Sequence, residues 1–131
     1  MSDDALRVEL VAADRLVWSG DATRVIARTT EGDVGILPHH APMLSLMVDG
    51  IVDIQTTDGE TWIAAVDAGF LSVADNRVSI LSERAEMSHE IDLEKARQDL
   101  ERAKTSGEND DAAEEAVRRA EARIRAAERA S

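Results

Sequence analysis

The chain of 131 residues holds no cysteine, two prolines and three aromatics, with 44% apolar and 32% charged residues and a formal charge of −12. This composition describes one small soluble unit, or a domain with an appendage. The missing cysteines exclude a disulfide framework, a thiolate zinc site and a cysteine nucleophile, and the acidic excess argues against nucleic acid and against direct lipid insertion.

The opening residues MSDDALRVEL place Asp3 and Asp4 where a secretory signal would carry positive charge. No window approaches the roughly eighteen uninterrupted apolar residues of a membrane span. A cytoplasmic protein without an anchor of its own is expected.

Up to about residue 86 the chain is cut by Ser19-Gly20, Glu31-Gly32, Asp49-Gly50, Asp58-Gly59 and Asp75-Asn76. Turn chemistry at such short intervals predicts sheet. Between the turns apolar residues alternate, as in Leu6, Val8 and Leu10, in Val25 and Ala27, and in Val78 and Ile80, so one face of each strand is directed inward. The runs Ile63 to Val66 and Ile36 to Leu37 break the alternation, as strands covered on both faces do. Two packed sheets are the economical arrangement.

From Met87 to Ser131 there is no aromatic, no proline and a single glycine. Alanine, glutamate and arginine dominate, which is helical composition. Leu93, Ala96, Leu100 and Ala103 form one stripe; after the polar segment 105–110 a second runs through Ala113, Ala116, Val117, Ala120, Ile124 and Ala127. An antiparallel two-helix hairpin follows. Asp111 with Glu114 makes a helix-start pattern, and Glu114/Arg118, Glu115/Arg119 and Glu121/Arg125 place acid before base at i,i+4 spacing. An alanine stripe buries little area, so this hairpin is stable only when docked.

The division expected is therefore 1–86, a β domain, and 87–131, a helical domain. The first carries 15 acidic and 6 basic residues, the second 12 and 9, with Arg118, Arg119, Arg123, Arg125 and Arg129 late in the chain. The second helix is a basic element beside an acidic body, suited to an anion or an acidic partner.

No phosphate-binding glycine loop and no dinucleotide fingerprint occur in the sequence. His39 and His40 are neighbours, which point to opposite faces of an extended segment, and no second motif completes a metal set. His89 stands alone. Asp33, Asp49, Asp53, Asp58 and Asp75 are explained by turn geometry, and no carboxylate pair stands out as an acid–base couple. Asp67 differs, because it lies between Ile63-Ala64-Ala65-Val66 and Ala68-Gly69-Phe70 in a tight link between two buried strands. No catalytic residue and no metal site are expected.

The segment from Glu31 to Pro42, EGDVGILPHHAP, combines two glycines and two prolines and reads as a rigid loop presenting contact residues. It resembles a Gly-acid-apolar-Gly-Ile-apolar-Pro-x-His-x-Pro signature of the epsilon subunits of bacterial and chloroplast F-type ATP synthases. Trp18-Ser19-Gly20, Ala65 to Leu71 and Ile91-Asp92 extend the resemblance over the whole chain. The fold it implies is mainly β plus α: a ten-stranded β-sandwich followed by the hairpin. It also implies a non-catalytic rotor subunit of a proton-translocating complex, peripheral on the cytoplasmic side of the cell membrane. The sandwich would bind the gamma subunit and the c-ring, and the hairpin, when extended, would reach the alpha and beta subunits and restrain hydrolysis. The isolated chain is expected to be a monomer.

By position, the resemblance brings Glu31 and Asp33 to the c-ring loops and His40 to gamma. His39 departs from it, since many relatives have glycine there, a residue that adopts positive φ readily. No cofactor is required, but some members hold a regulatory ATP through an Ile-Asp-x-x-Arg-Ala motif, an upstream Glu and later arginines. The matching residues are Ile91, Asp92, Lys95, Ala96, Glu86, Arg102, Arg119 and Arg123, with Lys95 in place of the motif's arginine. Lysine keeps the charge and loses the bidentate fork. A free-standing β-sandwich adaptor with a helical partner-binding arm fits the composition equally well, and only the motifs argue against it.

Overall fold

The computed structural model describes residues 5–105 and 111–130. Nine strands are assigned among them: β1 Leu6–Ala12, β2 Arg15–Thr29, β3 Gly32–Ile36, β4 Met43–Met47, β5 Gly50–Thr56, β6 Thr61–Val66, β7 Gly69–Ala74, β8 Arg77–Ser82 and β9 Ala85–Met87. A 3₁₀ turn at Ser88–Glu90 then leads into α1, Leu93–Thr105, and α2, Asp111–Ala130. The polar segment expected to join the helices lies, for residues 106–110, outside the described residues.

One layer runs β4-β7-β8-β1 and continues into the first half of β2, with β1 and β8 parallel. The other runs from β3 through the second half of β2 to β5, β6 and β9. The 15-residue strand β2 thus serves both layers, and its register on β5 shifts between Ala22 and Arg24. A bulge of this kind lets a strand turn from one sheet into the next. Counting its halves separately turns nine hydrogen-bonded strands into the expected ten.

Alternation does the work predicted of it. Leu6, Val8 and Leu10 of β1, Val25 and Ala27 of β2, Leu71 and Val73 of β7, and Val78 and Ile80 of β8 close one core. The turns at Asp58-Gly59 and Asp75-Asn76 fall between strands, and at Glu31-Gly32 and Asp49-Gly50 the glycine opens the next strand, β3 or β5. Asp75 and Asn76 both have positive φ, 51° and 62°, as a two-residue hairpin turn of the primed type requires.

Ser19-Gly20 is not a turn. Both residues lie inside β2, where Gly20 faces Val8 of β1, and the chain has already reversed at Ala13-Asp14. Gly20 lies against the Trp18 ring, where an added Cβ would come within 2.8 Å of the ring. The segment 31–42 is likewise not one loop. Gly32–Ile36 is strand β3, paired with Val25–Thr29, which leaves a loop only over 37–42. Within it His39 adopts φ 70°, the conformation that glycine takes most easily.

Helix α2 lies across β6 and β5. Ala64 and Val66 of β6 belong to the sandwich core, whereas Ile63 and Ala65 point outward and pack with Ala126, beside Ile51 and Ile91. This two-sided cover explains the uninterrupted run at 63–66. It also reveals a stripe absent from the sequence reading: Ala122 and Ala126, one turn apart on α2, are both buried.

Candidate functional site

The seat of α2 is built from arginines and carboxylates. Arg118 lies 4.0 Å from Asp49, Arg119 3.9 Å from Asp67, Arg123 2.7 Å from Glu86, and Arg129 3.1 Å from Asp53. All four acids belong to the sandwich, so the arginines of α2 meet the acidic body of their own chain. Asp53 is not a turn residue. It sits within β5, where period-2 geometry turns it toward α2.

Between β6, β9 and the hairpin lies a cleft of about 490 Å³, lined by Asp67, Arg84, Glu86, Lys95, Asp99, Arg119 and Arg123 with several alanines. Of the residues matched to an ATP motif, Glu86, Lys95, Arg119 and Arg123 share this cleft. The other four have different positions. Asp92 caps α1, its Oδ1 accepting the Lys95 N–H at 3.1 Å. Ile91 packs against the Ile63–Ala65–Ala126 cluster, and Ala96 is buried on α1. Arg102 lies 3.5 Å from Asp99 with 78% of its side chain exposed, outside the cleft lining.

Two of the cations in the cleft already have partners. Arg123 bridges Glu86 of β9 and Asp99 of α1, the latter at 3.4 Å, and Arg119 bridges Asp67 and Glu115. The 2.7 Å contact between Arg123 Nε and Glu86 is an ion pair without hydrogen-bond alignment. An anion entering here would compete with these carboxylates. Burial, and secondarily the negative charge of Asp49, push the pKa of Asp67 up, with Arg119 opposing. A raised folded-state pKa means that the stability Asp67 contributes is full in acid and is lost as the pH rises through that value.

The predicted contact residues do not form one patch. Glu31 closes the β2–β3 turn, where its N–H donates to Thr29 Oγ1, and Asp33 on β3 is held by Arg28 at 2.7 Å. His40 lies in the 37–42 loop beyond the other end of β3, with Nδ1 2.7 Å from the Ala41 carbonyl oxygen. The His39 N–H donates to Asn76 Oδ1, tying that loop to the β7–β8 turn.

A surface that the sequence reading passed over lies on the opposite layer. Leu46, Phe70 and Leu81 are cross-strand neighbours on β4, β7 and β8, each about half exposed, with Leu44 nearby at 72%. Val11 and Leu16 continue the row across β1 and β2. The signal was present in Met43-Leu44-Ser45-Leu46-Met47, which is apolar on both faces although only one can turn inward.

Fold and site define a class first: a β-sandwich module that seats a two-helix arm through ion pairs on one face and leaves an apolar row open on the other. Residues 5–88 match the model of the ATP synthase delta/epsilon chain β-sandwich domain. The chain is 56% identical to the ATP synthase epsilon chain of Streptomyces avermitilis, over 92% of this chain and 94% of that one. It is 46% identical to that of Corynebacterium efficiens, over 96% and 95%. The chain belongs to the ATP synthase delta/epsilon chain family.

A structure of Euglena gracilis mitochondrial ATP synthase comprising OSCP, F1 and the c-ring contains a chain that superposes with a TM-score of 0.79 at 26% identity, over 90% of this chain and 78% of that one. A chain of the Tetrahymena thermophila central stalk and c-ring has the same fold, with a TM-score of 0.60 at 17% identity over 95% of each. No described helix is long and apolar enough to cross a membrane.

Proposed function

We propose that the chain is a non-catalytic rotor subunit of an F-type ATP synthase, peripheral on the cytoplasmic side of the membrane, coupling gamma to the c-ring. Family membership supplies the frame, and the open row Leu46–Phe70–Leu81 carries the reading. An apolar face left open on a small acidic protein marks an interface, and this one lies on the layer that the chain's own hairpin does not cover. Gamma occupies it. Glu31 and Asp33, at the β2–β3 hairpin, then meet the c-ring loops through charge, while His40 borders gamma.

In this reading residues 1–86 bind the stalk and 87–131 form a regulatory arm, which reaches the alpha and beta subunits when extended. ATP favours the docked arm. In the cleft, Lys95, Arg119 and Arg123 hold its phosphates in competition with Asp67, Glu86 and Asp99, so binding is weak, and Arg102 joins only by swinging inward. The decisive assay is ATP hydrolysis by the catalytic head with gamma, comparing no addition, the full chain and a version ending near Met87. The full chain co-elutes with gamma and inhibits, and truncation relieves inhibition without abolishing co-elution. Failure to co-elute with its own gamma refutes the reading and favours a free-standing adaptor. Flat calorimetry at millimolar ATP removes the nucleotide.

A further inference from the structure

The hairpin's hold on the sandwich is uneven along α2. Its apolar contact is made by small side chains, with Ala126 against Ile63 and Ala65 and with Ala120 and Ala122 also buried. Such a seat buries little area. The acids beneath differ in what else satisfies them. Asp49, with 5% of its side chain exposed, accepts the Ala68 N–H at 2.8 Å and so has a backbone partner whether or not α2 is present. Glu86 and Asp67 are more open to water, and Arg123 and Arg119 each have a second carboxylate.

Asp53 has none of these alternatives. Its side chain is 7% exposed, Oδ2 accepts from Arg129 at 3.1 Å, and Oδ1 is buried without a hydrogen-bond partner among the described residues. Arg129 stands in the last turn of α2, 76 residues along the chain from Asp53. The cleft of about 440 Å³ around the pair is also lined by Arg28, Asp33, Asp49 and Arg125. There Asp33 holds Arg28, and Arg118 faces Asp49. A carboxylate in such a place costs far more unpaired than paired. When α2 lifts away, Asp53 regains water, so the penalty falls only on a docked helix that lacks its cation.

We propose that Asp53 and Arg129 form a charge clasp that decides whether the C-terminal turns of α2 stay on the sandwich. The clasp depends on the docked position of α2 and not on gamma or ATP. It acts at the end of α2 opposite to Arg119. Any condition or partner that draws Arg129 away converts Asp53 from an anchor into a repellent, which makes release of the helix end abrupt.

Amide hydrogen exchange on the full chain tests this, comparing the wild type with Arg129→Gln, Asp53→Asn and the double variant. In Arg129→Gln, exchange in the second half of α2 accelerates about tenfold or more, since a buried carboxylate is left alone. Asp53→Asn accelerates it less, and the double variant, with two neutral amides, returns to within about threefold of the wild type. Raising salt from about 0.05 to 0.5 M accelerates the wild type more than the double variant, which keeps only the other three helix–sandwich pairs. Unchanged exchange in Arg129→Gln overturns the clasp. So does a double variant as fast as Arg129→Gln, which assigns the effect to packing of the arginine stem. Acceleration that spreads to β1 and β8 also overturns it, placing Asp53 in the stability of the sandwich itself.

Discussion

Phe70→Ala is the sharpest test of the open apolar row. The ring is 49% exposed, with Leu46 on one side and Leu81 on the other. A phenylalanine side chain presents about 200 Å², so roughly half of that is free to be covered by a partner. At about 25 cal/mol per Å², and with alanine keeping a small share, the lost binding is about 2 kcal/mol. That corresponds to about a thirtyfold weaker complex with gamma. The assay is a calorimetric titration of purified gamma with the full chain. A melt of each variant alone confirms that the sandwich survives. Leu37→Ala is the comparison: Leu37 is exposed at 57% but lies in the 37–42 loop beside His40, off the row, so its loss is the smaller of the two. A dissociation constant for Phe70→Ala within about threefold of the wild type, or an equal loss for Leu37→Ala, refutes the assignment of this face.

Three further predictions concern single positions. Gly69→Ala places a Cβ 1.8 Å from the Leu81 carbonyl oxygen and 3.0 Å from Ser82 Cα, both backbone atoms of β8 that no rotamer change can move. It therefore destabilises by about 3 kcal/mol or more, read as a lower urea midpoint followed by tryptophan fluorescence. His39→Gly relieves a left-handed residue at φ 70° and offsets it against a more flexible unfolded chain, so stability rises by less than about 1 kcal/mol and the midpoint never falls. Asp67→Asn removes a carboxylate whose charged form is penalised by burial and by Asp49. Its melting temperature exceeds the wild type's at pH 7, and the gap closes as the pH falls through the raised pKa and is gone below about 4. A gap that widens in acid contradicts the sign.

Strand positions were legible because short-range chemistry fixes them. Asp75-Asn76 demands positive φ wherever it occurs, and Leu6, Val8 and Leu10 can share one face only in an extended chain. The failures have one physical origin. Ser19-Gly20 carries turn chemistry, yet Gly20 lies in mid-strand opposite Val8 and against the Trp18 ring, a placement made by strand pairing and invisible to a local rule. The segment 31–42 looked like a loop because of its glycines and prolines. Pairing with Val25–Thr29 turned its first part into strand β3, and that pairing is a tertiary fact.

The same limit governs the site. A late arginine cluster beside an acidic body is readable from charge counts, and it anticipates that α2 meets carboxylates. Which carboxylates it meets was not readable. Asp53 stands in a strand between Val52 and Ile54 and, unlike the other aspartates ascribed to turns, adjoins no glycine or asparagine. An aspartate in mid-strand is the signal that could have singled it out, because strands disfavour aspartate and an inward carboxylate must be paired. Period-2 geometry even fixes its face, since Val52 and Ile54 point into the sandwich core and leave Asp53 and Ile51 for the other side. What no local pattern supplies is the cation, because Arg129 is one of five arginines late in the chain and only the docking of α2 across β5 and β6 selects it. Helix docking therefore converts a diffuse charge imbalance into specific pairs, and the pair whose buried acid has no second hydrogen-bond partner among the described residues is the one whose loss α2 tolerates least.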